Sequence, residues 1–387
     1  MWSFFYAKNE KIITKKGEIV MTLFQKEKTE VKNFNNSEDF MDHLYDVSLN
    51  SQWKILNSDN VYFWINDTKD RNGVDLCLED RGNGETRIRE AVAFPSICAR
   101  AQIFGESLQR LKKDVLASFL SKCLETRGPI LMKALVQYNK VSAIHSAEYT
   151  PLKMEDIFYE AEKEFNTINK EESFKSAEWD FKYCTAEYEV DNDEITEAYN
   201  DALVRNNIVT SPKKVKLLIR VTTSDVATSG INLTYKVRIY NGTYAVDVPL
   251  NQKREISIKH TGDAQKKMEE YKQKLVDTLA IYKANQEQLF KLMSIKIYNS
   301  ENCLKGMLKK SNIPLKYANK IVNRFTCTNG NNPCSAYEIY AAMCYLLELV
   351  SEEENSSSAN TLRYEELLAK SVTKNFKDFD VTGEIAW

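Results

Sequence analysis

The chain predicts an α+β fold with a mostly antiparallel sheet, a long packed helix and helical N- and C-terminal additions, and three observations carry that prediction. Val215, Leu217, Ile219 and Val221 alternate with polar or outward residues, the period-two pattern of a half-buried strand. Apolar residues then repeat on both sides of Asn241-Gly242, the dipeptide preferred in two-residue hairpin turns. From Ala264 to Leu292 the period changes to that of a helix. With 387 residues, 43% of them hydrophobic, the chain can bury a sizeable core. Twenty Tyr and 17 Phe against 7 Pro and 12 Gly argue against extended disorder.

Taken in order, Ser37 to Val47 reads as a helix, with Ser37 as N-cap and Phe40, Met41, Leu44 and Tyr45 at helical spacing. Gln52 to Arg89 is strand-rich and punctuated by the turn signals Arg71-Asn-Gly and Arg81-Gly-Asn-Gly. Phe94 to Leu124 is helical with a break near Phe104-Gly105, Leu135 to Ile144 is a strand, and Leu152 to Phe165 is an acidic helix. Trp179, Phe181 and Tyr183 alternate within a strand over residues 179–188. Counting outward from Asn241-Gly242 pairs Ile239 with Tyr244, Val237 with Val246, Tyr235 with Val248 and Leu233 with Leu250, all on one face, with Lys236 and Arg238 on the other. After a strand at 255–259, one helix over 263–294 would form a rod of roughly 45 Å at about 1.5 Å per residue. Two basic helices split at Ser311-Asn-Ile-Pro314, a helix from Ala336 to Val350 and a last one from Leu362 complete the chain. The expected organisation is an extension over 1–20, an α+β core over 21–300 and a helical region over 301–387, basic and then acidic.

Met1 to Tyr6 lacks the charged start of a signal peptide. Lys16-Gly-Glu18 before Met21 can be encoded by a purine-rich stretch resembling a ribosome-binding site. Translation from Met21 is one reading and a short extra strand or loose tail over residues 1–20 the other, and the intact mass of natively expressed protein decides between them. The longest apolar run, Tyr340 to Val350, has 11 residues and includes Glu348, too short to span a membrane. Eight scattered cysteines fit a reducing cytoplasm rather than a disulfide framework.

Charge is distributed unevenly beneath a net value of −2. His145 to Asp201 holds 17 acidic and 5 basic residues, whereas Ala202 to Tyr337 holds 9 acidic and 23 basic. Within the latter, the 36 residues from Asn302 to Tyr337 contain no carboxylate and six cations: Lys305, Lys309, Lys310, Lys316, Lys320 and Arg324. Such a field attracts polyanions or an acidic protein face, or compensates the acidic segment of the same chain.

Phe94-Pro-Ser-Ile-Cys-Ala-Arg-Ala, Ser142-Ala-Ile-His-Ser-Ala-Glu-Tyr-Thr-Pro-Leu152, Ile258-Lys-His-Thr-Gly262 and Ala336-Tyr-Glu-Ile-Tyr-Ala-Ala-Met343 occur in that order. In these segments the chain resembles the prokaryotic phage/plasmid-like protein family, domain of unknown function nine-three-two, over about Phe94 to Leu349. The resemblance implies a phage or plasmid origin and a bacterial cytoplasmic location, and it supplies no catalytic residue.

The basic helices are the main candidate site. Lys305, Lys309, Lys310, Lys316, Lys320 and Arg324, extended by Lys213, Lys214 and Lys216, would contact phosphates, and Tyr317 and Phe325 would stack on unpaired bases. His260, Thr261 and Gly262, opening a helix, form a candidate anion contact, against a plain turn residue as the alternative. Cys303, Cys327, Cys334 and Cys344 are spaced too widely for a zinc site. Asp191-Asn-Asp-Glu194 reads as a cation site or, more simply, as a solvated loop or helix cap. No phosphate-binding glycine motif or nucleophile motif is present, so no cofactor, metal or catalytic residue is expected. The expectation is a non-enzymatic cytoplasmic protein that binds nucleic acid, single-stranded DNA above all, in replication or recombination. The alternative is a protein-interaction module that engages a host defence or replication protein as inhibitor or trigger. A metal-dependent nuclease built on the Asp/Glu clusters is a third reading.

Overall fold

A computed structural model describes residues 31–383 and 385, apart from 67–74, 83–85, 91–92, 104–107, 109–110, 139, 181, 227–228, 242–243, 251–256 and 354–357. The expected extension over residues 1–20 and the start at Met21 lie outside the described residues. The fold is α+β.

Two sheets organise it. The larger runs in the order β1 (Lys32–Phe34), β8 (Phe174–Trp179), β9 (Cys184–Val190), β10 (Lys214–Thr223), β11 (Ile231–Asn241) and β12 (Tyr244–Pro249), with β13 (Ser257–Ile258) also on β11. The smaller runs β2 (Ser51–Asn57), β6 (Leu131–Gln137), β7 (Lys140–Ser146), β5 (Thr86–Glu90), β4 (Asp75–Asp80) and β3 (Val61–Asn66). Its one parallel pairing, β5 with β7, needs the crossover that α2 (Phe94–Ala101) and α3 (Lys113–Glu125) supply. A two-stranded ribbon, β14 (Lys296–Ile297) with β15 (Cys334–Ser335), ties the helical part together.

Helix α1 (Ser37–Leu49) forms as expected, although Asn36 rather than Ser37 caps it, accepting from the Asp39 amide at 2.8 Å. It buries Phe40 edge-on against Phe158 of α4 (Met154–Asn169). The acidic run at 191–194 is a helix cap: Asn192 accepts from the Ile195 amide, and Asp193 and Glu194 occupy the first turn of α5 (Asp193–Arg205), where the helix dipole favours carboxylates.

Four expectations need correction. The run 135–144 is a hairpin, because the chain reverses at Tyr138, whose φ is 49°. The run 179–188 is likewise two strands, since the Asp180 carboxylate accepts from the Lys182 and Tyr183 amides and turns the chain. The hairpin register is shifted by two residues, so Ile239 faces Val246 and Val237 faces Val248, and the connection falls at 242–243. A shift of two keeps every side chain on its expected face, which is why the pattern could not distinguish the registers. The rod over 263–294 is two helices, α6 (Ala264–Val276) and α7 (Thr278–Ser294), with Asp277 ending one and beginning the other. Their partners differ: α6 packs on α4, while α7 packs on α5 and on α10 (Ala336–Ser351).

The remaining C-terminal helices are α8 (Ser300–Lys310), α9 (Leu315–Asn329) and α11 (Ser358–Ser371). Ser335 and Glu338 form a reciprocal capping box at the start of α10. One buried cluster joins the large sheet to all four of these helices and crosses the expected boundary at residue 300 without a break; a second lies between the small sheet and α2–α3. Gly306 illustrates how tightly the end is packed, because a Cβ there would collide with the Phe379 ring. Gly306→Ala should therefore lower stability by about 1–3 kcal/mol, despite the better helix propensity of alanine. The urea midpoint reads it.

Candidate functional site

The structure pairs three of the candidate cations on the C-terminal helices with carboxylates. Lys305 pairs with Glu301 at 2.7 Å, Lys316 with Glu353 at 2.6 Å and Arg324 with Glu348 at 3.2 Å. Arg324 also lies over the Tyr345 ring, 3.8 Å from its centre. The run 302–337 has no carboxylate of its own, but the flanking turns of α8 and α10 deliver them to it. Lys309, Lys310 and Lys320 are exposed. A further cation, Lys374, follows α11 and was not singled out from the sequence. Its ammonium donates to the Lys310 carbonyl at 3.3 Å and to Ser311 Oγ at 2.8 Å. Burial and the neighbouring Lys310 charge both hold the Lys374 pKa below its ordinary value.

Tyr317 does not serve base stacking. It is 4% exposed and packs edge-on against Tyr364, while Phe325 is also buried. Both lie on the apolar stripe of α9, with Ala318, Ile321 and Val322. Lys213, Lys214 and Lys216 lie at the start of β10, on another part of the fold from α8–α9. The Lys213 backbone is clasped by the Asn200 amide, and Lys214 stands 4.9 Å from the centre of the Tyr240 ring. Lys216 pairs with Asp191 at 2.6 Å and Glu189 at 3.0 Å, which raise its pKa to about 12 against the opposing effect of burial. Together with Lys272–Glu160 and Lys283–Glu194, these pairs show the basic segment compensating the acidic one inside the molecule.

The expected anion contact at His260 is also corrected. His260 is 5% exposed, and the start of α6 is already capped by Asp263, whose carboxylate accepts from the Lys266 amide at 2.9 Å. Thr261 bridges to Tyr149, and Gly262 has φ 92°, the conformation this turn needs. His260 instead belongs to a ring stack that joins the sheets. Tyr149 lies between His145, 3.9 Å away with a 9° interplanar angle, and His260, 5.3 Å away with 3°; Trp53 of β2 flanks it at 5.2 Å. His145 Nε2 donates to the Asp225 carbonyl at 2.8 Å, and His260 Nε2 lies 3.3 Å from Thr223 Oγ1.

Burial lowers the pKa of both His145 and His260 to about 4 and raises that of Asp225 to about 7. Each histidine binds its proton less readily folded than unfolded, so each makes stability rise with pH between about 4 and 6.5. Asp225 acts oppositely between about 3.8 and 7, which leaves a net rise of about one histidine's worth. His260→Asn should flatten the midpoint-against-pH curve across pH 4–6.5, a comparison made by thermal unfolding.

The densest charge cluster was missed in the sequence. On the face of β9–β12 opposite the apolar one, Lys236 is fully buried and reaches Glu187 at 2.5 Å, Asp247 at 3.2 Å and Glu365 of α11 at 3.3 Å. Arg220 pairs with Glu187 at 3.2 Å and Glu365 at 2.7 Å, and Arg238 with Asp247 at 2.6 Å and Glu187 at 3.3 Å. Burial alone would raise the Glu187 and Asp247 carboxyls, but the three cations hold both below the usual range. The sequence signal is the alternation that puts Lys236 and Arg238 on the face opposite the apolar pairs and Arg220 on the corresponding face of β10.

No group of three or more His, Cys, Asp or Glu among the described residues could hold a metal ion. Nor is any helix among them long and apolar enough to cross a membrane. No protein-family model, curated protein or solved structure matches the chain.

Proposed function

We propose that this is a non-enzymatic protein that binds nucleic acid through phosphate contacts, with single-stranded DNA in replication or recombination as the favoured setting. The observation that supports it is the approach of Lys374 to Lys310, two cations from chain segments 64 residues apart, on a helical pair that also carries exposed Lys309 and Lys320. Like charges brought together on a surface are retained most readily where an anion visits them. With Tyr317 and Phe325 buried, affinity rests on phosphates and falls steeply with salt. The resemblance to the phage/plasmid-like family supports a mobile-element origin and action in the bacterial cytoplasm.

A second reading, an interaction module for a host defence or replication protein, is favoured by Ile55 on the edge strand β2 and Leu131 on its neighbour, each more than half exposed. Salt-dependent binding of labelled oligonucleotides separates the two. Binding lost on reversing the lysines supports the first; no binding at low salt, with a stoichiometric host protein captured through β2 and lost in Ile55→Lys, supports the second.

A further inference from the structure

The charged face of the large sheet is not completed by its own strands. A sheet face covered by protein is ordinarily apolar, because polar groups taken from water must be paired. This one buries Thr185, Glu187, Thr222, Thr234 and Lys236. Around Lys236 the strands supply three cations, Arg220, Lys236 and Arg238, against two carboxylates, Glu187 and Asp247. The third carboxylate arrives from outside the sheet. Glu365 of α11, 2% exposed, places Oε1 3.3 Å from the Lys236 ammonium and Oε2 2.7 Å from Arg220 Nη1. One oxygen on an ammonium and one on a guanidinium is how an oxyanion sits between two cations. The seat is imperfect, since Glu365 Oε2 is close to Arg220 yet accepts no aligned hydrogen bond. Two residues from Arg220 on the same face, Thr222 is 2% exposed and its hydroxyl has no partner.

We propose that the sheet face around Arg220, Thr222 and Lys236 is a binding site for an oxyanion of the phosphate class, and that α11 closes it by seating Glu365 as an internal stand-in. The site is separate from the basic hairpin and does not depend on the nucleic-acid reading. A tetrahedral oxyanion has more acceptor oxygens than a carboxylate, so it can satisfy Arg220, Lys236 and the Thr222 hydroxyl together. When it binds, the Glu365 side chain must give way.

Thermal unfolding of full-length wild type, Glu365→Gln and Glu365→Gln/Arg220→Leu, titrated with inorganic phosphate, pyrophosphate, a short oligonucleotide and chloride at matched ionic strength, tests it. Glu365→Gln should be stabilised by phosphate or pyrophosphate at concentrations at least about tenfold lower than wild type requires, and the double variant should lose that response. Should Glu365→Gln fail to fold in plain buffer, recovery of the folded circular-dichroism signal in phosphate, and not in chloride, supports the site equally. A response to pyrophosphate alone assigns a small phosphate compound, and one to the oligonucleotide assigns a polynucleotide. Equal responses to chloride and phosphate, or no anion response in Glu365→Gln, overturn the proposal.

Discussion

Glu187→Gln is expected to lose about 3–5 kcal/mol of folding stability, the scale for removing one member of a buried ion pair. Glu187 touches Lys236, Arg220 and Arg238, so the change leaves three cations facing two carboxylates. Lys236 has no route to water, being wholly buried. Most of the loss is the cost of stranding its charge rather than the worth of one contact. Glu187→Leu combined with Lys236→Met, which removes both charges and keeps bulk, should therefore cost less than Glu187→Gln alone. Chemical unfolding of the three proteins measures this, and a double variant less stable than the single one contradicts the argument. The acid limb follows from the same residues. The folded pKa values of Glu187 and Asp247 lie below their unfolded ones, so their contribution is present above about pH 4.5 and is lost as pH falls through the folded values.

Reversal of Lys309, Lys310, Lys320 and Lys374 to Glu should abolish oligonucleotide binding, and each single replacement should lower the slope of log affinity against log salt by roughly 0.7 for a single strand or about 0.9 for a duplex, the value of one phosphate contact. Lys316 is left out of that set because Glu353 already holds it. Its replacement should change affinity little, and Glu353→Gln should strengthen binding by releasing a cation. These opposite effects distinguish a specific phosphate-contacting surface from one that responds only to net charge. Folding should be largely unaffected by the changes at exposed Lys309, Lys310 and Lys320, whereas Lys374→Glu also removes the hydrogen bonds to the Lys310 carbonyl and Ser311 and should cost some stability.

Much of the fold was legible because it is written in local patterns. The strand Lys214–Thr223, the apolar faces of the 231–250 hairpin and the helices of the C-terminal region follow from periodicity and turn residues. What stayed illegible depended on long-range pairing. Nothing local says that Glu365 meets residues 220 and 236, or that Glu348 and Glu353 fold back on a carboxylate-free run. Lys236 and Arg238 could be placed only on the face opposite the apolar one, because alternation reports two faces of a strand without reporting what covers the second. Tyr317 looked available because an aromatic beside lysine is equally a core residue of an amphipathic helix, and at this position it is the core residue. Asp277 broke the long helix although the heptad-like spacing ran through it, since tertiary partners differ on its two sides.

The most direct measurement is fluorescence anisotropy of the full-length protein with labelled single- and double-stranded DNA at low and near-physiological salt. The account predicts tight binding at low salt, weaker binding as salt rises, and loss of both when Lys309, Lys310, Lys320 and Lys374 are reversed. Absence of binding at low salt, or binding that survives the reversal, would contradict it.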